Sequence, residues 1–160
     1  MHTPKPAYRF LVSACLCGFA CRYDGNSNAL PALVKLYADG LALPVCPEEA
    51  GGLPTPRVPC ERRGERIISR EGVDMTEAFA AGAAHALALA QKHGLHTAIL
   101  KESSPSCGTT AVYDGSFSGI KIPGMGLTAN LLQNNGLRVY NEKNAPAIFF
   151  LKKSLTTTPV

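Results

Sequence analysis

The chain has 160 residues, 46% of them hydrophobic and 18% charged, with a formal net charge of +4. That apolar fraction supports a packed core and excludes intrinsic disorder, and the length suits one domain, expected over residues 1–160. The positive charge is small and clusters only locally, at Arg62, Arg63, Arg66 and Arg70 and at Lys152 and Lys153 in the tail. A long nucleic-acid polymer usually calls for a denser footprint, a small anionic or polar ligand fits equally well, and the charge alone settles neither.

Tyr8 to Ala14 is a short apolar run ending in a cysteine-bearing turn, the pattern of a buried parallel strand. Val12-Ser13-Ala14-Cys15 looks like a lipoprotein cleavage box, but Phe10, Leu11 and Val12 make up the whole apolar run, against the ~7–15 residues of a signal peptide. No stretch approaches the ~18 apolar residues of a membrane span. A cytoplasmic protein without a membrane anchor is expected, and in a reducing compartment its six cysteines are thiols, metal ligands or catalysts rather than disulfides. Ser27 or Asn28 is placed to cap a helix running to about Ala38, with Pro31 in its first turn and Gly40 beyond its end. Leu41 to Val45 reads as a second strand that stops at Cys46-Pro47-Glu48.

Gly51-Gly52-Leu53-Pro54-Thr55-Pro56 is a loop, and the alternation of Arg57 to Arg70 around Arg63-Gly64 predicts a peripheral hairpin. Met75 to His93 is the clearest helix, opened by Asp74 with Glu77 three residues on and closed by Gly94. Its many alanines suit close packing on a sheet. Thr97 to Lys101 is a third strand, followed by Ser103-Ser104-Pro105-Ser106-Cys107-Gly108; a small β excursion spans Val112 to Ile122. Gly124-Met125-Gly126-Leu127-Thr128 leads into a helix ending at Gly136, before a fourth strand at Leu137 to Tyr140. Strands alternating with helices predict an α/β fold: a single three-layer, Rossmann-like domain with a mostly parallel sheet of four to five strands and a small β excursion.

That topology gives three cysteines equivalent places. Cys15 follows the first strand, Cys46 ends the second and Cys107 follows the third. Strands of a parallel sheet all end on one edge, and ligands bind outside those carboxyl ends. Residues 31 and 61 positions apart in sequence therefore converge without a local CxxC motif. Free cysteine is also a common core residue, so an inert reading competes. Cys17 and Cys21 are close enough to serve as alternative ligands, whereas Cys60 lacks the shared placement. Three thiolates suit zinc with a fourth ligand, but His85, His93 and His96 belong to the long helix or its end and His2 is terminal. They equally suit a four-iron cluster with one iron left open to a soft donor such as a substrate sulfur. Glu48 and Glu49 sit at the same edge, and Ser103, Ser104 and Ser106 line the loop before Cys107. Position ranks Glu48 above Glu49, Asp24 and Glu102 for proton work.

Several stretches then match a known family in order: Leu11-Val12-Ser13-Ala14-Cys15-Leu16, Cys21-Arg22-Tyr23-Asp24-Gly25, Pro44-Val45-Cys46-Pro47-Glu48 and Gly51 to Arg57. Gly72-Val73-Asp74-Met75-Thr76, Ser104-Pro105-Ser106-Cys107-Gly108, Tyr113-Asp114-Gly115 and Gly126-Leu127-Thr128-Ala129 continue the series. From about Arg9 to Glu142 the chain resembles the thiouracil desulfidase family. The resemblance implies a 4Fe-4S cluster held by Cys15, Cys46 and Cys107, and desulfuration of a 2-thio or 4-thio uracil to uracil without net redox change. It places the family's catalytic glutamate and serine on Glu48 and Ser104, with Arg22 or Lys101 available to stabilise negative charge. Cys17 stands where many relatives carry Leu. Relatives that act on thiolated nucleosides carry a further fused domain, which favours a small free-base substrate here. Two other classes remain open at this point: a cluster- or zinc-stabilised module that binds thiolated RNA bases, and a sulfur carrier using a persulfide on Cys17 or Cys21.

Overall fold

Consecutive side chains of a strand point to opposite faces, and in the first strand both faces are apolar. Leu11 points into one cluster with Ala86, Ala90, Ala98, Leu100, Ala129 and Leu132. Phe10 and Val12 point into another with Leu16, Leu33, Leu36, Ala42 and Ile99. A strand buried on both faces requires helices above and below, which is the three-layer arrangement observed in the computed structural model, which describes residues 7–151. His2, Lys152 and Lys153 lie outside the described residues.

The chain runs through β1 (Phe10–Ser13), α1 (Pro31–Ala38), β2 (Ala42–Val45), α2 (Pro47–Ala50), β3 (Cys60–Arg63) and β4 (Arg66–Ser69). It continues through α3 (Thr76–Lys92), β5 (Thr97–Leu100), β6 (Ala111–Tyr113), β7 (Lys121–Pro123), α4 (Leu127–Asn134) and β8 (Arg138–Asn141). Single 3-10 turns lie at Ala14–Cys17 and Ala147–Phe150. The main sheet has the order β2-β1-β5-β8, with every pair parallel. Leu11 is level with Leu43 on one side and Ala98 on the other. Pro44, which cannot donate to a ladder, sits in the edge strand β2, where such a residue is tolerated. Counting only these four strands, the order is second-first-third-fourth, so the chain adds strands to one side of β1 and then, from β5 on, to the other. That change of side is where open α/β sheets leave a crevice. The hairpin β3–β4 and the excursion β6–β7 are separate two-stranded antiparallel sheets.

Three local outcomes differ from the sequence reading. Helix α1 starts at Pro31 with Leu30 before it, not at Ser27 or Asn28. Asn28 is drawn elsewhere: its amide donates to the Cys15 carbonyl at 3.0 Å, and its side-chain oxygen accepts from Arg22 Nη1 at 3.0 Å. Helix α3 opens with Asp74 Oδ1 accepting from the Thr76 amide and hydroxyl, without the reciprocal bond of a capping box. Helix α2 is one turn long, too short for periodicity to reveal. Pro47 at its first position fixes φ without wasting a donor, and Glu48 and Glu49 fill its first turn.

Helix α2 lies hard against α3. A Cβ on Gly82 would stand 1.8 Å from the Pro47 carbonyl oxygen, and one on Gly51 would stand 2.0 Å from that of Ala78. This backbone-to-backbone approach sets the position of Pro47 and Glu48. Gly82→Ala gains helix propensity, a term of about 0.5–1 kcal/mol that by itself stabilises. We predict the opposite sign, a loss of about 1–3 kcal/mol from overpacking against Pro47. The urea-unfolding midpoint of Gly82→Ala, set beside the exposed control Ala84→Gly, checks this; an unchanged or raised midpoint in Gly82→Ala refutes the close-approach account.

Candidate active site

The carboxyl ends of β1, β2 and β5 open into one cavity of about 470 Å³. Cys15 reaches it from the 3-10 turn after β1, Cys46 from the residue before α2, and Cys107 from the loop after β5. The structure thus brings the three cysteines singled out by topology into one wall. Cys21 joins them, and all are free thiols. Cys17 does not: it is buried between the sheet and α1 with Leu33 and Leu36. Cys60 lines the cavity from the β3–β4 hairpin, its Sγ 3.7 Å from the Val58 carbonyl.

The thiols are electrostatically unequal. The Cys21 thiol hydrogen-bonds to both Cys15 and Cys46. Acting as donor, it lowers Cys15 to about 7, with burial opposing and Asn28 assisting. It lowers Cys46 as well, against burial and together with the Glu49 amide. Cys21 itself is driven far upward, because losing its proton would break both bonds. Burial pushes Cys107 up to about 12, opposed by a hydrogen bond from Ser13. Ser13 Oγ also accepts from the Lys101 amide at 2.9 Å, tying the ends of β1 and β5 together.

Glu48 faces the cavity and pairs with Arg57, Nη2 to Oε2 at 2.6 Å, with side chains 19% and 6% exposed. Arg57 is fixed further by the Cys21 carbonyl at 2.8 Å, the Thr55 hydroxyl at 2.8 Å and the Pro54 carbonyl at 3.2 Å. Its buried Nε has no partner among the described residues. Burial works against the guanidinium charge, and Glu48 more than restores it, so the Arg57 pKa lies above its ordinary value. Glu49 is exposed, and its Oε2 accepts from the Thr55 hydroxyl at 2.6 Å.

The three serines separate cleanly. Ser106 is buried and its hydroxyl bonds Thr128 Oγ1 at 2.8 Å. Ser104 Oγ accepts from the amides of Ser106 and Cys107 at 3.1 and 3.0 Å, leaving its hydroxyl proton to donate. Ser103 has φ of 67°, a left-handed backbone that turns the chain between β5 and Ser104. Beneath this loop sits Glu102, whose carboxylate accepts from the amides of Ser103, Thr109 and Thr110, the hydroxyls of Thr109 and Thr110, and Asn141 Nδ2. Burial alone would raise its pKa; these donors outweigh burial and hold it at about 2. Glu102 is thus a structural anchor of the serine loop rather than a proton carrier. Lys101, also in the wall, pairs with Glu142 at 3.2 Å.

The roof comes from the two small sheets. Tyr113 and Phe117 line the cavity, with Arg70 stacked 5.6 Å from the Phe117 ring. Glu61 accepts from the amides of Gly115 and Phe117, and Arg63 donates to the Gly115 carbonyl at 2.7 Å. Arg62 donates to the Met125 carbonyl. Part of the basic run at 62–70 therefore braces loops. The pairing of Glu48 with Arg57 is one that the sequence allows as a structural role for Glu48. Sequence reasoning missed Ser13 and the anchoring role of Glu102, which had no signal beyond flanking cysteine-bearing turns.

These features define an α/β domain with a thiol-lined site at the carboxyl edge of its sheet. The chain belongs to the 2-thiouracil desulfurase family, whose profile matches residues 10–144. It is 44% identical over 142 residues to the uncharacterized protein YbbK of Bacillus subtilis (strain 168), covering 82% of this chain and 94% of that protein. Among solved structures it matches the 4Fe-4S-dependent thiouracil desulfidase TudS with a TM-score of 0.85 and 43% identity, over 94% of this chain and 99% of the other. Among the described residues, no helix is long and apolar enough to cross a membrane.

Glu102→Ala leaves several buried donors unmade, each costing about 1–3 kcal/mol. The pH profile carries the sign: the folded pKa lies below the ordinary value of 4.5, so the stabilisation is complete above that value and disappears as pH falls towards 2. Chemical unfolding of the metal-free protein from pH 5 to 2 should show that loss in the native chain and a flatter profile in Glu102→Gln; parallel profiles contradict the anchor.

Proposed function

We propose that this protein is a thiouracil desulfidase that hydrolyses the C–S bond of a free thiopyrimidine, with water consumed and H2S and uracil released, and that a 4Fe-4S cluster is its cofactor. The observation that carries the reading is the meeting of Cys15, Cys46 and Cys107 from three strand ends in one cavity beside Glu48 and Ser104. The family and the solved neighbour point to the same chemistry.

The donor set fits such a cluster. Soft thiolates suit iron–sulfur centres, and the unpartnered buried Nε of Arg57 suits an anionic group in the same wall. Cys15, Cys46 and Cys107 would hold the cluster. When bound, it supplies an iron with an open position, a Lewis acid for thiocarbonyl sulfur. The remaining work falls to the chain. Arg57 occupies Glu48 Oε2 and orients the carboxylate; Oε1 takes the proton of the attacking water. Ser104, its oxygen saturated by two amides, directs its hydroxyl proton at the ring or at charge developing on it. Arg22 and Lys101 add positive charge to the wall. No electrons are gained or lost.

The free base is favoured over thiolated RNA because Arg62 and Arg63, from the densest basic run, are engaged with loop carbonyls. Six free cysteines agree with a reducing, cytoplasmic setting.

Anaerobic reconstitution with iron and sulfide should give four irons per chain in the native protein and in Cys60→Ala, and a loss of cluster in Cys15→Ala, Cys46→Ala and Cys107→Ala. Normal iron loading in Cys46→Ala removes the ligand assignment. Glu48→Gln should load fully yet turn over 4-thiouracil about 10²–10⁴ times more slowly, the range for a general acid–base group; wild-type turnover would take Glu48 out of the mechanism. Faster sulfur release from thiolated tRNA than from 4-thiouracil would replace the substrate and leave the chemistry standing.

A further inference from the structure

Among the described residues, two non-glycine residues have a left-handed backbone, and both line the cavity. Ser103, at φ of 67°, turns the chain towards Ser104. Phe117, at φ of 56°, has no such task. A left-handed φ crowds Cβ against the following carbonyl, so a bulky side chain keeps it only where its surroundings over-determine the conformation.

Those surroundings belong to the β3–β4 hairpin. The Phe117 amide donates to Glu61 Oε1 at 3.0 Å, beside the Gly115 amide on the same oxygen at 3.1 Å. The Gly115 carbonyl accepts from Arg63 at 2.7 Å. Just past β4, the Arg70 guanidinium stands over the Phe117 ring, 5.6 Å from its centroid. With the amide fixed to Glu61, rotation about φ decides where Cβ points, and at 56° the ring lines the cavity. Core packing does not account for this, since Phe117 is outside both apolar clusters on the sheet faces and is half-buried. Tyr113, the other aromatic side chain of the roof, sits in β6 opposite Lys121 and takes its direction from strand register.

The thiols, Glu48 and Ser104 are groups that meet a ligand at its edge, at sulfur, N–H or carbonyl. A pyrimidine also has two flat faces, which only a flat side chain covers well. We propose that Phe117 is the specificity-determining residue for the substrate ring: the face that Arg70 does not cover stacks on the thiopyrimidine and selects a planar, unsaturated heterocycle. The proposal rests on the desulfidase reading above and names what holds the ring there. The hairpin therefore does more than close the cavity. Glu61 and Arg70 hold Phe117 in a conformation it would not otherwise keep, so that its ring is aligned before the substrate arrives.

Uracil and 5,6-dihydrouracil test this, because they share the N–H and carbonyl edge while saturation of C5–C6 puckers the second ring. Neither is desulfurated, so equilibrium dialysis against the anaerobically reconstituted protein reads binding alone. Native protein should bind uracil about five-fold or more tightly than dihydrouracil, the lower end of base–aromatic stacking. Phe117→Leu, which keeps apolar bulk without a flat face, should bring that ratio close to one. Phe117→Asn should do the same, and asparagine accepts a left-handed φ, so the loop is kept without the ring. In both, KM for 4-thiouracil should rise several-fold with kcat little changed and iron content as in the native protein, and Phe117→Tyr should recover the ratio and the KM. A native ratio near one, or a native-like ratio in Phe117→Leu and Phe117→Asn, overturns the proposal. So does an equal loss in Phe117→Tyr. Iron content that falls in both Phe117→Leu and Phe117→Asn overturns it too, by making the ring part of the cluster's enclosure. A native protein that prefers uracil in this way, loses the preference in those variants and yet releases no H2S from 4-thiouracil upholds Phe117 and refutes the desulfidase reading instead.

Discussion

The parallel alignment of β1 with β2 and β5 is the constraint on which the site depends. Four residues per strand leave little slack, because a shift of one residue turns every side chain to the other face. With Leu11 level with both Leu43 and Ala98, the three strands end together. The turns that follow deliver Cys15, Cys46 and the Ser104–Cys107 segment to one cavity. An antiparallel neighbour at either place would send its carboxyl end, and its cysteine, to the opposite edge. Burial on both faces enforces the register, since Leu11 and Val12 are each fully enclosed in a different apolar layer.

Around that edge the protein places charge where an apolar core would disfavour it. Arg57 is nearly buried, and such a cation is tolerated when its donors are met. Glu48, the Cys21 carbonyl, Thr55 and Pro54 meet most of them, and one nitrogen remains over. Glu102 solves the converse problem. Its carboxylate gathers donors from the amides and hydroxyls of a tight turn, so the loop carrying Ser104 and Cys107 is held by one side chain. Both charged groups act mainly by holding others in place. The distinction matters for reading the site, because Glu48 and Glu102 both border the cavity while, of the two, Glu48 alone presents an oxygen without a donor among the described residues.

The layers and the parallel sheet were legible because they follow from periodicity and from where apolar runs stop; the strand order was not. Helix α3 and the hairpin at 60–69 fell where the pattern put them, within a residue or two at α3. Cys15, Cys46 and Cys107 were legible as neighbours for the same reason, since topology alone relates residues so far apart. The start of α1 was not, because Asn28, a good cap by type, is drawn instead to Arg22 and Cys15 across the turn. What distinguishes Ser103, Ser104 and Ser106 from one another lies in their hydrogen bonds, which sequence does not show: Thr128, which engages Ser106, is 22 residues away. Cys21 was within reach of Cys15 by sequence, but only coordinates place it between Cys15 and Cys46. The bracing role within the basic stretch was not legible, as composition cannot tell a solvated arginine from one that braces a loop.

That last point bears on how the cavity is closed. Tyr113 and Phe117 stand on or beside the β6–β7 excursion, which shares no sheet with the four-stranded core. A three-residue antiparallel pair is marginal on its own. Here it is held by Glu61 and Arg63 of the neighbouring hairpin, which bond Gly115 on both its amide and carbonyl. A Cβ on Gly115 would come within 3.0 Å of the Arg62 carbonyl, and its φ of 92° suits glycine, so the hairpin and the excursion meet at a point with no room for a side chain. The sheet edge fixes where the thiols are, and this separate, cross-braced roof sets how much of the 470 Å³ is left for a planar ring. The two tasks are carried by different parts of the chain, so the roof is free to vary in shape without disturbing the register that gathers the cysteines.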